Sequence, residues 1–198
     1  MKLLLSGGGT AGHINPAIAI ADFFKARHPD ADIRFVGTDY GIESKLVPKA
    51  GYRLYTVEVY GLRRKLDLKN IRSIMKAYAA IGKSKEILRE FQPDVVIGTG
   101  GYISGPVIWA ACDMKIPTAI HEQNAFPGLT TKQLARRADR LMISFDTSRR
   151  YFHREAVLVG NPINEKMLFS DRAAARLKLG IGDMPLLVTF GGSMGSRP

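Results

Sequence analysis

Three features of this 198-residue sequence predict a doubly wound α/β fold. Eight short apolar runs recur along it, several apolar without interruption, as strands are when both faces of a parallel sheet are covered. Helical periods separate most of the runs. Glycine-rich turns follow three of them, at the strand ends where open α/β sheets bind ligands.

The runs are KLLLS (2–6), DIRFVG (32–37), YRLYTVEV (52–59), DVVIG (94–98), PTAIHE (117–122), DRLMISF (139–145), AVLVG (156–160) and PLLVTF (185–190). After the first, Asn15 suits a helix N-cap and Pro16 the first helical position. The spacing therefore predicts a helix from there to near His28, with Ile18, Ala21 and Phe24 on its inner face. A second long helix is predicted over about 68–91 with Ile71, Ile74, Met75 and Tyr78 inward and several lysines and arginines outward. Asn161-Pro162 reads as a boundary, because a short helix near 171–179, the eighth run and a third glycine turn follow it. Covering that last strand requires further structure, so the expected organisation is one Rossmann-like domain over 1–160 and the beginning of a second, truncated one over 161–198.

With 45% hydrophobic and 24% charged residues the chain can bury a substantial core. The single cysteine, Cys112, allows no internal disulfide and reads as a small buried hydrophobe in a reducing compartment. Neither a signal peptide nor a run of membrane-spanning length is visible, so any membrane contact is expected to be peripheral. Net charge is +11, and between residues 61 and 89 nine basic residues face only two acidic ones. An anionic partner is implied: phosphorylated substrate, acidic lipid or nucleic acid. Nucleic acid is the weakest of these, because no recognisable reading module accompanies the charge.

SGGGTAGHINP (6–16) satisfies G-x-G-x-x-G through Gly7, Gly9 and Gly12, between a strand and a helix. Its glycines let a ligand approach the backbone, and free amides at the helix start favour phosphate or sugar oxygens. A nicotinamide site would want an acid closing the second strand, which instead runs into Val36-Gly37-Thr38; a P-loop would need Lys followed by Ser or Thr. His13 follows the turn and is either a donor or general base or a locally satisfied histidine. Asp30-Ala31-Asp32 resembles a metal-nucleotide D-x-D but starts its strand, and reads as a solvated turn. Gly98-Thr99-Gly100-Gly101-Tyr102-Ile103-Ser104-Gly105 and Glu122-Gln123-Asn124 fall on the same carboxyl edge. His121-Glu122 opens no zinc-protease motif, since position 125 is Ala, and there is no G-x-S-x-G elbow.

Taken in order, GGGTAGHINPAIAIA, VGTDYGIESKLVPKAGY, PDVVIGTGGYISGPV, IPTAIHEQNAFPG, VGNPI and FGGSMGS resemble the MurG-type peptidoglycan N-acetylglucosaminyltransferases of glycosyltransferase family 28, over nearly the whole chain. The resemblance implies a GT-B fold and inverting transfer of GlcNAc from UDP-GlcNAc to the MurNAc 4-hydroxyl of lipid I, giving lipid II, without a metal or cofactor. It implies peripheral attachment to the anionic cytoplasmic face of the bacterial cell membrane through the amino-terminal domain.

By position, the resemblance puts Thr10, Ala11 and Gly12 beneath the donor sugar and gives Asn124 a hydrogen bond to it. His13 falls beside the acceptor as candidate base or positioning group. Gly98, Thr99, Gly100 and Gly101, with Tyr102, Glu122 and Gln123, fall around the acceptor and its pyrophosphate, and Ser193 matches a serine that contacts UDP. The family's GNPxR arginine, which reaches the donor, is replaced here by Asn164 in Gly160-Asn161-Pro162-Ile163-Asn164. With only the opening of the donor domain present, the 198 residues are expected to bind UDP-GlcNAc poorly and to be weak or inactive alone. The competing expectations are a non-catalytic lipid I or membrane-binding module and, further off, a nicotinamide-dependent oxidoreductase.

Overall fold

The computed structural model describes residues 1–59 and 68–189, without the side chains of 68–74 and 166. Seven parallel strands form one sheet in the order β3-β2-β1-β4-β5-β6-β7. They are β1 (Lys2–Gly7), β2 (Asp32–Gly37), β3 (Arg53–Thr56), β4 (Val95–Gly100), β5 (Thr118–Glu122), β6 (Arg140–Ile143) and β7 (Val157–Leu158). Helices α1 (Ala11–Arg27), α2 (Glu43–Lys49), α3 (Leu68–Phe91), α4 (Ser104–Asp113) and α5 (Leu129–Leu134) connect the first six strands. Short helices α6 (Glu165–Leu168) and α7 (Arg172–Lys178) follow β7.

Alternation along the strands explains the double winding. Leu3 and Leu5 pack with Ile33, Phe35 and the α1 residues Ile14, Ala17 and Ala21 on one face. Leu4 packs with Val36 and Val96 against α3 and α4 on the other. A strand whose neighbours point to opposite faces must be apolar throughout when both faces are covered. Strand order reverses between β1 and β4, and the crevice at their carboxyl ends is where such sheets bind ligands.

Three expectations require correction. Helix α1 starts at Ala11, four residues before the predicted cap, because the Thr10 carbonyl accepts the first-turn amides of His13 and Ile14 at 3.2 Å. Pro16 sits inside the helix, at the cost of the one bond its nitrogen cannot donate. On α3, Met75 and Tyr78 are exposed, and among its described side chains the buried ones are Ala80, Ser84, Ile87, Leu88 and Phe91. Small residues win there because α4 packs closely alongside, and the Ser84 hydroxyl is satisfied by the Ala80 carbonyl at 2.7 Å. The predicted facing of Ile71 and Ile74 lies outside the described side chains.

Finally, residues 185–189 of the eighth apolar run form no strand, and Leu187 is 89% exposed. An isolated extended segment leaves its backbone groups unpaired, and no described strand lies beside it. By contrast α7 forms as predicted, with the Asp171 carboxylate accepting the Ala174 amide at 2.6 Å.

Candidate active site at the switch point

The two glycine loops meet backbone to backbone. Gly101 has φ +79°, and a Cβ there would fall on the Gly8 carbonyl oxygen; Gly100, at φ +103°, would drive one 2.8 Å from His13 Nδ1. Thr99 donates its hydroxyl to the His13 carbonyl at 2.8 Å, and Ser104 Oγ donates to the Ser6 carbonyl at 2.6 Å. Gly98 and Thr99 are buried beneath this junction, while Gly100, Gly101 and Tyr102 lie at its surface.

Glu43, at the start of α2, is fully buried yet ionisable, and its donors explain how it is tolerated. One carboxylate oxygen accepts the Thr38 amide at 3.1 Å and hydroxyl at 2.6 Å; the other accepts the Gly9 amide at 3.0 Å. The acid sought at the end of β2 thus arrives from α2 and takes an amide of the first glycine loop. A dinucleotide pyrophosphate would compete with that carboxylate for Gly9, which speaks against a nicotinamide site. The Tyr102 ring covers Gly9, and burial followed by the Glu43 charge pushes its phenol pKa up, so it remains a protonated donor.

Thr10, Ala11 and Gly12 open α1, where the helical ladder supplies no acceptors for their amides. On the facing edge, Glu122 is buried and turns inward: Oε1 accepts the Asn124 backbone amide at 2.9 Å and side-chain amide at 2.8 Å, and Oε2 the Gly128 amide at 3.2 Å. Its carboxylate shapes the loop, leaving exposed Asn124 with its side-chain carbonyl open to a hydroxyl donor. Gln123 bridges two histidines, with Oε1 3.1 Å from His13 Nδ1 and Nε2 2.8 Å from His121 Nδ1. His121 is almost wholly buried, and burial lowers its pKa so that it is neutral at pH 7.

A cavity of about 590 Å³ is lined by His13, Tyr102, Glu122 and Asn124 together with the apolar side chains of Trp109, Phe126 and Leu129. Phe126 and Leu129 are each 72% exposed. Asn164 is elsewhere, 3.4 Å from Asp22 on the outer part of α1. Ser193 and the third glycine loop lie outside the described residues, as do Arg63, Arg64 and Lys65 of the basic stretch. Along α3 the charge is partly neutralised: Lys76 pairs with Glu58, Lys83 with Glu86, and Lys85 with Asp113.

Sequence reasoning missed Glu43 and His121 as site components. The signal for Glu43 was Thr38 at the strand end followed five residues later by an acid at a helix start; for His121 it was an imidazole directly after Ala119-Ile120 within a strand. Among the described residues no group of three or more His, Cys, Asp or Glu is placed to hold a metal ion, and no helix is long and apolar enough to cross a membrane. Asp32 of the D-x-D pairs with Arg34 at 2.7 Å, at the amino end of β2.

Comparison with known proteins agrees with this architecture. The Acetivibrio thermocellus UDP-N-acetylglucosamine--N-acetylmuramyl-(pentapeptide) pyrophosphoryl-undecaprenol N-acetylglucosamine transferase is 48% identical over 200 residues, covering 100% of this chain and 54% of the relative. The Clostridioides difficile protein of the same name is 48% identical over 202 residues, covering 100% and 49%. The chain therefore spans about half the length of the curated relatives it matches. Crystalline MurG of Acinetobacter baumannii superposes with TM-score 0.70 at 28% identity, over 81% of this chain and 46% of that one. A UDP-GlcNAc 2-epimerase from Neisseria meningitidis shares the fold, with TM-score 0.60 at 16% identity over 81% of this chain and 46% of that one. The sequence model of the glycosyltransferase family 28 N-terminal domain matches residues 3–143, from the first residues of β1 to the last of β6 and so across both glycine loops, and the chain belongs to that family.

Proposed function

We propose that this chain forms the acceptor half of an inverting transferase that moves GlcNAc from UDP-GlcNAc to the MurNAc 4-hydroxyl of lipid I, at the cytoplasmic face of the membrane. The observation that carries this reading is the cavity itself, whose lining combines the polar groups of His13, Tyr102, Glu122 and Asn124 with the apolar side chains of Trp109, Phe126 and Leu129. A sugar diphosphate on a lipid tail likewise combines polar and apolar parts.

In this reading the amides of Thr10, Ala11 and Gly12 face the donor sugar and Asn124 bonds one of its hydroxyls. His13 takes the proton from the attacking 4-hydroxyl as the oxygen pair forms the new bond to the anomeric carbon. The anomeric C–O bond breaks and its electrons leave with UDP. The backbone of Gly100 and Gly101, with Tyr102, lies toward the acceptor pyrophosphate. Peripheral membrane contact is supported by exposed Met75, Tyr78, Phe126 and Leu129 beside a basic helix.

The test is a chimera in which this chain replaces the matching half of the Clostridioides difficile relative. Labelled GlcNAc is expected to pass from UDP-GlcNAc to a lipid I analogue; a folded chimera that binds both substrates without transfer would favour the non-catalytic binding module instead.

A further inference from the structure

An unbroken chain of hydrogen bonds joins His13 to a backbone carbonyl at the end of the sheet, and its polarity can be read from one end. The Gly160 carbonyl can only accept, so His121 Nε2, 2.9 Å away, carries a proton. Ser144 Oγ stands 3.4 Å from the same nitrogen and 3.2 Å from the same carbonyl, and its hydroxyl is free to donate to that carbonyl. Burial keeps His121 neutral, which leaves its Nδ1 as an acceptor.

Gln123 must therefore turn its amide nitrogen to His121 Nδ1, at 2.8 Å. A second anchor agrees: the same nitrogen lies 3.2 Å from the His121 carbonyl, another group that only accepts. The amide oxygen then faces His13 Nδ1 at 3.1 Å, and that nitrogen must be the donor. In neutral His13 the proton is on Nδ1 and the lone pair on Nε2, which bonds to no described residue, while His13 lines the cavity.

We infer that His121 and Gln123 are positioning residues that lock His13 in the Nδ1–H tautomer, with Nε2 as its proton-accepting atom. This rests on the reading of His13 as base to the acceptor hydroxyl. When the hydroxyl proton reaches Nε2, both ring nitrogens are protonated. The Gln123 oxygen then accepts from a cationic ring, a stronger bond than before transfer. The relay is an orienting group of the kind that nucleophile–base pairs require, made of an amide and a second imidazole.

The test reads the tautomers directly, without substrate. In the 198-residue chain with ¹⁵N-labelled histidine, long-range ¹H–¹⁵N correlation is recorded above the ordinary imidazole pKa of about 6.5. His13 is expected as Nδ1–H with an unprotonated Nε2, and His121 as the reverse; His13 as Nε2–H, or either ring as a mixture, would overturn the relay. In Q123L, His13 should lose its single tautomer while His121 keeps its own. In the chimera, Q123L should lower kcat about 10- to 100-fold with acceptor KM within about twofold, a fraction of what a general base supplies. Tautomer loss with unchanged kcat would overturn the positioning role. A chimera without any transfer would count against the functional reading alone, because the spectra stand independently of turnover.

Discussion

The two glycine loops at the switch point look alike in sequence and do different work. Around the first, Gly9 gives its amide to the buried Glu43 carboxylate, and Gly12 lies open at the start of α1, with nothing closer to a Cβ than Thr10 Oγ1 at 3.7 Å. In the second, Gly100 and Gly101 are spacers: the His13 ring and the Gly8 carbonyl occupy the volume where side chains would be. One loop offers helix-start amides, and the other sets the distance between two strands' ends. Counting glycines does not separate these roles, because Gly9, at φ +80° beneath the Tyr102 ring, is as confined as Gly100 and Gly101, whereas Gly12 is open.

The sharpest break in that comparison is Gly101→Ala. A left-handed backbone costs an alanine roughly 1–2 kcal/mol, and here the methyl also meets a backbone carbonyl that cannot rotate away, so we expect a loss of about 3 kcal/mol or more. Thermal melting should drop by about 6–12 °C for a chain of this size. A melting temperature within a degree of wild type would mean that the loops are not in contact.

Next is Glu43→Gln. An amide can accept with its oxygen only, so either Gly9 or Thr38 loses its acceptor along with the charge, at a cost of about 2 kcal/mol. Urea denaturation measures it, and hydrogen exchange at the Gly9 amide should quicken. Unchanged exchange would remove Glu43 as the clamp on the first loop.

His121 gives a smaller, pH-dependent effect. Its folded pKa is depressed, so its contribution is full above the unfolded value of about 6.5 and is lost as pH falls through the folded one. Melting temperature should therefore decline on acidification below about pH 6.5, and less so in His121→Gln. Equal slopes in the two proteins would contradict a neutral buried imidazole.

The smallest stability effect belongs to Gly12→Ala, which is expected to hold or gain about 0.5 kcal/mol because alanine favours the helix and meets open space. In the chimera it should nevertheless raise the KM for UDP-GlcNAc, since the added methyl stands where the donor sugar is proposed to lie. A stable variant with unaltered donor KM would displace the sugar from this turn.

Much of the architecture was legible from periodicity. Leu3-Leu4-Leu5 reads as a strand covered on both sides, and the order of the first seven apolar runs is the order of β1 to β7. The carboxyl-edge location of 98–105 and 122–124 also followed, since each stretch comes directly after an apolar run. Met75 and Tyr78 misled because large apolar residues were weighed above Ala80 and Ser84, whose small size is what lets α3 and α4 approach. PLLVTF misled because strand propensity over 185–189 has no effect without a partner strand.

By itself, the amino-acid sequence determined the order of β1 to β7 and which loops carry glycine, because these depend on neighbours a few residues away. Tertiary structure alone decided that Glu43 clamps Gly9 across 34 positions, and that His13 meets Gln123 across 110. Hydrogen-bond polarity likewise appeared only once the Gly160 carbonyl stood beside His121. A side chain's propensity is local, but its proton inventory is settled by whichever donor or acceptor the fold places opposite it.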